Sequence, residues 1–198
     1  MMIWNIRRNM GWLAGLTLLL AVAASGAVQK YDMTGARNSL VFHAHSTGHD
    51  FEGKTAVVKG EFGCDRQKVA ETAFGEARIP IRTLKTGISA RDNEMYKIFG
   101  GDEKSEIVFK LRELKAPRWT GSDTFTATAS GDLTVHGTTR RVPVEIMAGF
   151  AGSDLAVTGT ARVKITDFGM EPPGFLFFKV SDDVKITFTV RGKNRVAS

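Results

Sequence analysis

From Thr124 to Val135 the chain alternates apolar and polar residues almost without error. Phe125, Ala127, Ala129, Gly131, Leu133 and Val135 fall on one parity, and Thr124, Thr126, Thr128, Ser130, Asp132 and Thr134 on the other. Successive side chains of a strand point to opposite faces, so this run is a half-buried β-strand. A helix would scatter the same apolar residues around its whole circumference. The pattern therefore fixes the period of the structure, and it recurs along the chain.

Ser39 to Ala44 reads as a first strand, with Leu40, Phe42 and Ala44 on one face. Thr55 to Phe62 and Val69 to Ile81 read as the next two, the latter ended or bulged by Pro80, which has no donor for a ladder. Ser89 as a cap, with Asp92 three residues on and Met95, Ile98 and Phe99 on one face, predicts one short helix stopped by Gly100-Gly101. Further strands are expected at Glu106 to Leu111, Arg140 to Phe150, Leu155 to Ile165 and Asp183 to Arg191. The residues from Ala116 to Asp123 read as a hairpin connection, and His136-Gly137-Thr138-Thr139 as a tight one. Short strands punctuated by turns predict an all-β closed sheet, and closure removes exposed edges.

The N-terminus stands apart. Arg7-Arg8, an uncharged apolar run from Gly11 to Val22 and small residues from Ala23 to Ala27 have the layout of a cleavable secretory signal peptide. Residues 1–27 are thus read as a leader, and residues 28–198 as one domain exported to the periplasm. The leader carries Arg7 and Arg8 and no acid, so its removal takes the formal charge from +6 to +4. The remaining lysines and arginines are scattered among acids, which argues against a nucleic-acid partner. The single cysteine, Cys64, has no internal partner for a disulfide and reads as a bystander thiol.

Some segments break the pattern. Asp167 to Phe178 carries Phe168, Phe175, Phe177, Phe178, Met170 and Leu176 where a polar loop is expected, with Pro172, Pro173 and Gly174 interrupting regular structure. Such a segment either covers the mouth of an apolar cavity or completes the core. His43, His45 and His49 place three of the chain's 4 histidines close together, which opens a second reading as a metal-binding or catalytic site. Arg91-Asp92, with Lys85, Arg82 and Arg78 upstream, reads as surface charge with a local ion pair, or as a site for an anionic head group. No nucleophile elbow, paired-carboxylate motif, phosphate loop or dinucleotide fingerprint is present, so an enzyme is not expected.

Four stretches, taken in order, resemble the YceI-like family. They are Ser46 to Thr55 (STGHDFEGKT), Leu84-Lys85-Thr86-Gly87 with Arg91-Asp92, Gly131 to Gly137 (GDLTVHG), and Asp167-Phe168-Gly169-Met170 with Pro172-Pro173-Gly174-Phe175-Leu176. The segment from Phe99 to Glu106 departs from the family pattern, lacking the usual aromatic and Tyr-Pro run. The resemblance implies an extended antiparallel lipocalin-like β-barrel of about eight strands with one short helix. It also implies an exported protein that holds an isoprenoid-type lipid, such as a polyprenyl phosphate or a quinone tail, for transport, storage or stress protection. No cofactor or metal is expected on this reading. Transient membrane contact and a homodimer are left open.

The expected lining is Phe42, Phe109, Phe125, Ala127, Ala129, Phe168, Phe175, Phe177 and Phe188. Small residues at successive inward positions leave a void unless something fills it, because interiors pack densely.

Overall fold

The computed structural model describes residues 26–35, 37–101, 105–172, 174–175 and 178–194. In chain order the strands are β1 (Gln29–Asp32), β2 (Ser39–Ser46), β3 (His49–Thr55), β4 (Lys59–Cys64), β5 (Phe74–Pro80), β6 (Glu106–Trp119), β7 (Thr124–Val135), β8 (Thr138–Ala151), β9 (Asp154–Lys164), β10 (Gly174–Phe175) and β11 (Phe178–Asn194). Helices α1 (Val69–Thr72) and α2 (Ser89–Ile98) interrupt them, with 3-10 turns at Ile81–Thr83 and Ile165–Phe168.

β7 carries the alternation into three dimensions without loss. All its residues from Phe125 to Val135 on the apolar parity are buried, and every residue from Thr124 to Val135 has a partner on β8. The turn from β7 to β8 is made by His136 and Gly137 alone, at φ 49° and 74°. Two successive left-handed residues make a turn whose twist matches that of the flanking strands, and glycine at the second position carries that conformation without strain. β6 is longer than its apolar pattern suggests. It runs on to Trp119 through bulges between Leu111 and Glu113 and between Lys115 and Arg118, with Ala116 at φ 47°. Bulges bend a strand and raise its local twist, which helps a sheet curl.

The strands β1-β4-β5-β6-β7-β8-β9-β11 follow one another around the sheet, and β11 returns to β1 through Tyr31↔Asn194 and Asp32↔Lys193. The result is an all-antiparallel eight-stranded barrel, as the sequence predicts. The β2–β3 hairpin attaches to β11 between Val180 and Thr189 and extends the wall. Among the described residues, the outer side of β3 is joined to the rest by one backbone bridge, in which Lys54 and Lys85 exchange N–H···O bonds of 2.9 Å, and by side chains, the Thr55 hydroxyl donating to that of Thr83 at 2.8 Å.

Five local expectations are corrected. Val69 to Ile81 is not one strand: Val69–Thr72 is helical, and β5 begins only at Phe74 and ends at Pro80. The Asp65 carboxylate accepts the Gln67 N–H at 2.8 Å, and the Thr72 hydroxyl donates to the Lys68 carbonyl at 2.7 Å, so side chains support this turn. Thr55 to Phe62 is likewise two pieces, the end of β3 and the start of β4. His49, expected in the loop with Ser46-Thr47-Gly48, instead opens strand β3, because Thr47-Gly48 turns the chain straight back on β2. The connection after β6 is shorter than Ala116 to Asp123, since the strand continues to Trp119. Ser89 does not cap α2; the N-cap is Ile88, and no side chain caps it.

Candidate functional site

The inward parities of the strands converge on one apolar cavity of about 870 Å³. That is near the upper end of the roughly 300–1,000 Å³ typical of ligand pockets. β7 contributes Phe125, Ala129, Leu133 and Val135; β8 contributes Val142, Val144, Ile146 and Ala148; β9 and β11 add Val157, Ala161, Val163, Val184, Ile186, Phe188 and Val190. These are positions that the period-2 pattern marks as inward. Polar and charged residues such as Ser46, His49, Thr86, Arg91 and Glu94 also border it, on the side where β3 faces α2.

Of the residues expected to line a ligand site, Phe42, Phe109, Phe125, Ala129, Phe168 and Phe188 border this cavity. Ala127 is buried in the core but is not among the lining residues. The Phe175 side chain and the whole of Phe177 lie outside the described residues. Phe168 is 2 % exposed and belongs to the core, where it also forms part of the cavity wall. Its 3-10 turn is tied down by Asp182, whose carboxylate accepts the Thr166 N–H at 2.9 Å and the Thr166 hydroxyl at 2.8 Å.

Three of the wall's phenylalanines lie against glycines. Phe42 and Gly53 are cross-strand partners, as are Phe188 and Gly159, and Phe109 sits diagonally across from Gly131. A Cβ on Gly53 or Gly131 would overlap the facing ring, and one on Gly159 would come within 2.5 Å of Phe188 Cζ. Each ring therefore lies against its neighbour strand's bare backbone. Sequence alone gives neither Gly53 nor Gly159 this role: Gly53 enters only within the stretch Ser46 to Thr55, and Gly159 only within the expected strand Leu155 to Ile165.

The rim joins the apolar lining to charge. The Arg91 guanidinium lies 4.5 Å from the centre of the Phe51 ring, with Nη2 3.4 Å from His49 Nε2. Lys85 and Arg82 stack on Tyr96, whose hydroxyl donates to the Leu84 carbonyl at 2.7 Å. Asp92 is buried. Burial works against its ionisation, but hydrogen bonds from the Thr86 N–H and hydroxyl, with Lys85 and Arg91 nearby, hold its carboxyl below the usual range. Cys64 also lines the cavity, and burial, with Asp65 adjacent, pushes its thiol up to about 11. It is a protonated thiol at neutral pH.

The histidines do not form one site. His43 and His45 point to the barrel's outer face, where His43 Nδ1 meets Glu52 Oε1 at 2.9 Å and His45 Nδ1 meets Asp50 Oδ1 at 2.5 Å. His49 pairs with Ser46 across the hairpin and borders the cavity. The hairpin puts them on opposite sides of the sheet, so the metal reading based on all three fails. No group of three or more potential ligands for a metal is found among the described residues.

Fold and site together define a class: a closed, lipocalin-like antiparallel barrel around an apolar cavity. Residues 31–191 match the model of the YceI-like domain, and the chain belongs to that family. A UPF0312 protein of Vibrio vulnificus is 27% identical over 171 residues, spanning 81% of this chain and 87% of its own, and a Vibrio cholerae UPF0312 protein is 27% identical over 173. Among solved structures, Burkholderia cenocepacia BcnA superposes with a TM-score of 0.66 at 17% identity, over 81% of this chain and 98% of its own. A polyisoprenoid binding domain from Saccharophagus degradans gives 0.62 at 14% identity, over 85% and 99%. These structural likenesses establish the fold.

Proposed function

We propose that this protein holds an isoprenoid-type lipid in the barrel cavity, as a carrier or sequestering protein rather than a catalyst. The observation that carries the reading is the cavity: about 870 Å³ of apolar space, walled by methyl-bearing and aromatic side chains and bordered by charge at one side. Burial of apolar ligand surface supplies roughly 25 cal/mol per Å², so a long hydrocarbon binds here with few polar contacts. The polar rim leaves a head group in water while the chain is dry. Membership of the YceI-like family and the likeness to a polyisoprenoid binding domain support the same ligand class. The apolar run and small residues of the leader support export to the periplasm, with a mature chain starting near Val28. There the protein would transport, store or protect its lipid, with brief membrane contact at loading and release.

The test is native mass spectrometry and organic extraction of protein purified from its own export route, followed by titration of stripped protein with a polyprenyl alcohol. An isoprenoid in the extract and saturable uptake at one chain per barrel are expected. An empty extract together with no uptake overturns the reading. N-terminal sequencing of the exported protein tests the cleavage position.

A further inference from the structure

We propose that Gly53 sets the bore of the cavity by letting the Phe42 ring lie flat against the wall, and that this selects methyl-branched chains over straight ones. The inference rests on the lipid-binding reading above and concerns which hydrocarbon fits.

To the three phenylalanines of the wall already placed against glycines, Phe42, Phe109 and Phe188, Phe74 adds a fourth, lying across from Gly63. Their large rings would obstruct the lumen if they stood perpendicular to the sheet, which is the ordinary direction of a strand side chain. Instead each packs onto its neighbour strand at a glycine, so ring area is buried without filling the centre. Gly53 is the cleanest case. The three nearest atoms to a Cβ built there all belong to the Phe42 ring. At Gly131 and Gly159 a backbone carbonyl, of Lys110 and of Glu145, also stands close, at 2.7 and 3.0 Å. Gly53 itself has no positive φ, so backbone conformation does not require glycine there. Its one structural demand is room for the ring.

The position matters as much as the packing. Gly53 lies on β3, beside the side where the cavity meets His49, Phe51 and Arg91. Phe42 also packs edge-on against Phe51, with ring centres 6.4 Å apart. A methyl at residue 53 pushes the Phe42 ring off the wall, and Phe51 blocks part of the retreat. The free direction is the lumen. A methyl-branched chain is wider than a polymethylene chain of equal length, so it is excluded first.

The experiment compares Gly53→Ala with the parent for binding of geranylgeraniol and hexadecan-1-ol, which share backbone length and differ in branching and unsaturation. Overpacking a close-fitting wall is expected to weaken the branched alcohol about tenfold more than the straight one. Shortening the ring in Phe42→Leu/Gly53→Ala is expected to restore the branched alcohol. If the parent binds neither alcohol, the lipid-binding reading itself fails. If the parent binds the branched alcohol and Gly53→Ala leaves the ratio unchanged, the bore inference fails and the lipid-binding reading stands. Should Gly53→Ala not fold, Phe42→Leu alone decides: a shift of preference further toward the branched alcohol supports the inference, and an unchanged ratio overturns it.

Discussion

β7 and β3 are both strands of one wall, yet they are built for different duties. β7 is paired with β8 along its whole length and with β6 from Phe125 to Thr134 across two bulges, with buried residues at every second position. β3 is paired with β2 on one side and touches Lys85 by one bridge on the other. Its inward parity is Phe51, Gly53 and Thr55, and its outward residues Asp50, Glu52 and Lys54 are charged and exposed. The first strand closes a core. The second borders the place where the cavity reaches charge, and it spends less apolar surface on stability.

The same truncation in the two regions sharpens that contrast most. Phe125 is 4 % exposed and packs against Trp119 and Phe150. Phe125→Ala should cost about 4 kcal/mol in urea unfolding. Phe42 is only half-buried beside the cavity, and Phe42→Ala should cost about 1.5 kcal/mol. Equal costs would break the distinction between the two regions.

Asp92 gives the next largest effect. It ties Thr86 to the start of α2 through two hydrogen bonds, so Asp92→Ala should cost about 2 kcal/mol near neutral pH. Its carboxyl is held below the usual range, so its contribution is present above about pH 4 and is lost as the pH falls through the lower folded value. The gap between parent and variant in urea midpoint should therefore close on acidification toward about pH 2. A gap that widens would show that the charge is not what holds α2 in place.

The smallest effect on the fold comes from Cys64. A buried thiol pushed up to about 11 should react with a disulfide reagent at pH 8 about two orders of magnitude more slowly than an unperturbed one. Because Cys64 lines the cavity, occupancy by a polyprenyl alcohol should slow it again. Fast labelling of the empty protein would place the thiol in solvent and enlarge the opening beyond what the structure shows.

What the sequence discloses follows the same division. β7, β8, β9 and β11 are legible because period-2 alternation and burial coincide there. β3 is not, because Gly53 replaces an apolar residue at the inward position and charge dominates the rest. β1 is four residues long, so no pattern can develop. α1 is equally short, and its Val69 and Ala73 fit a strand as well as a turn of helix. For the site, phenylalanine parity in β2, β6, β7 and β11 points to Phe42, Phe109, Phe125 and Phe188. The partnership of rings with glycines is invisible, since it depends on cross-strand register. The histidines mislead for the same reason: closeness along the chain says nothing of which side of a hairpin each occupies.

Among the described residues, one pair of peptide groups, those of Lys54 and Lys85, ladders the outer edge of β3 to the remainder of the wall, beside the Thr55–Thr83 hydroxyl pair and the Arg91–Phe51 contact. The amides of β3 on that edge should therefore exchange with solvent sooner than those of β7, which is laddered to a neighbour on each side.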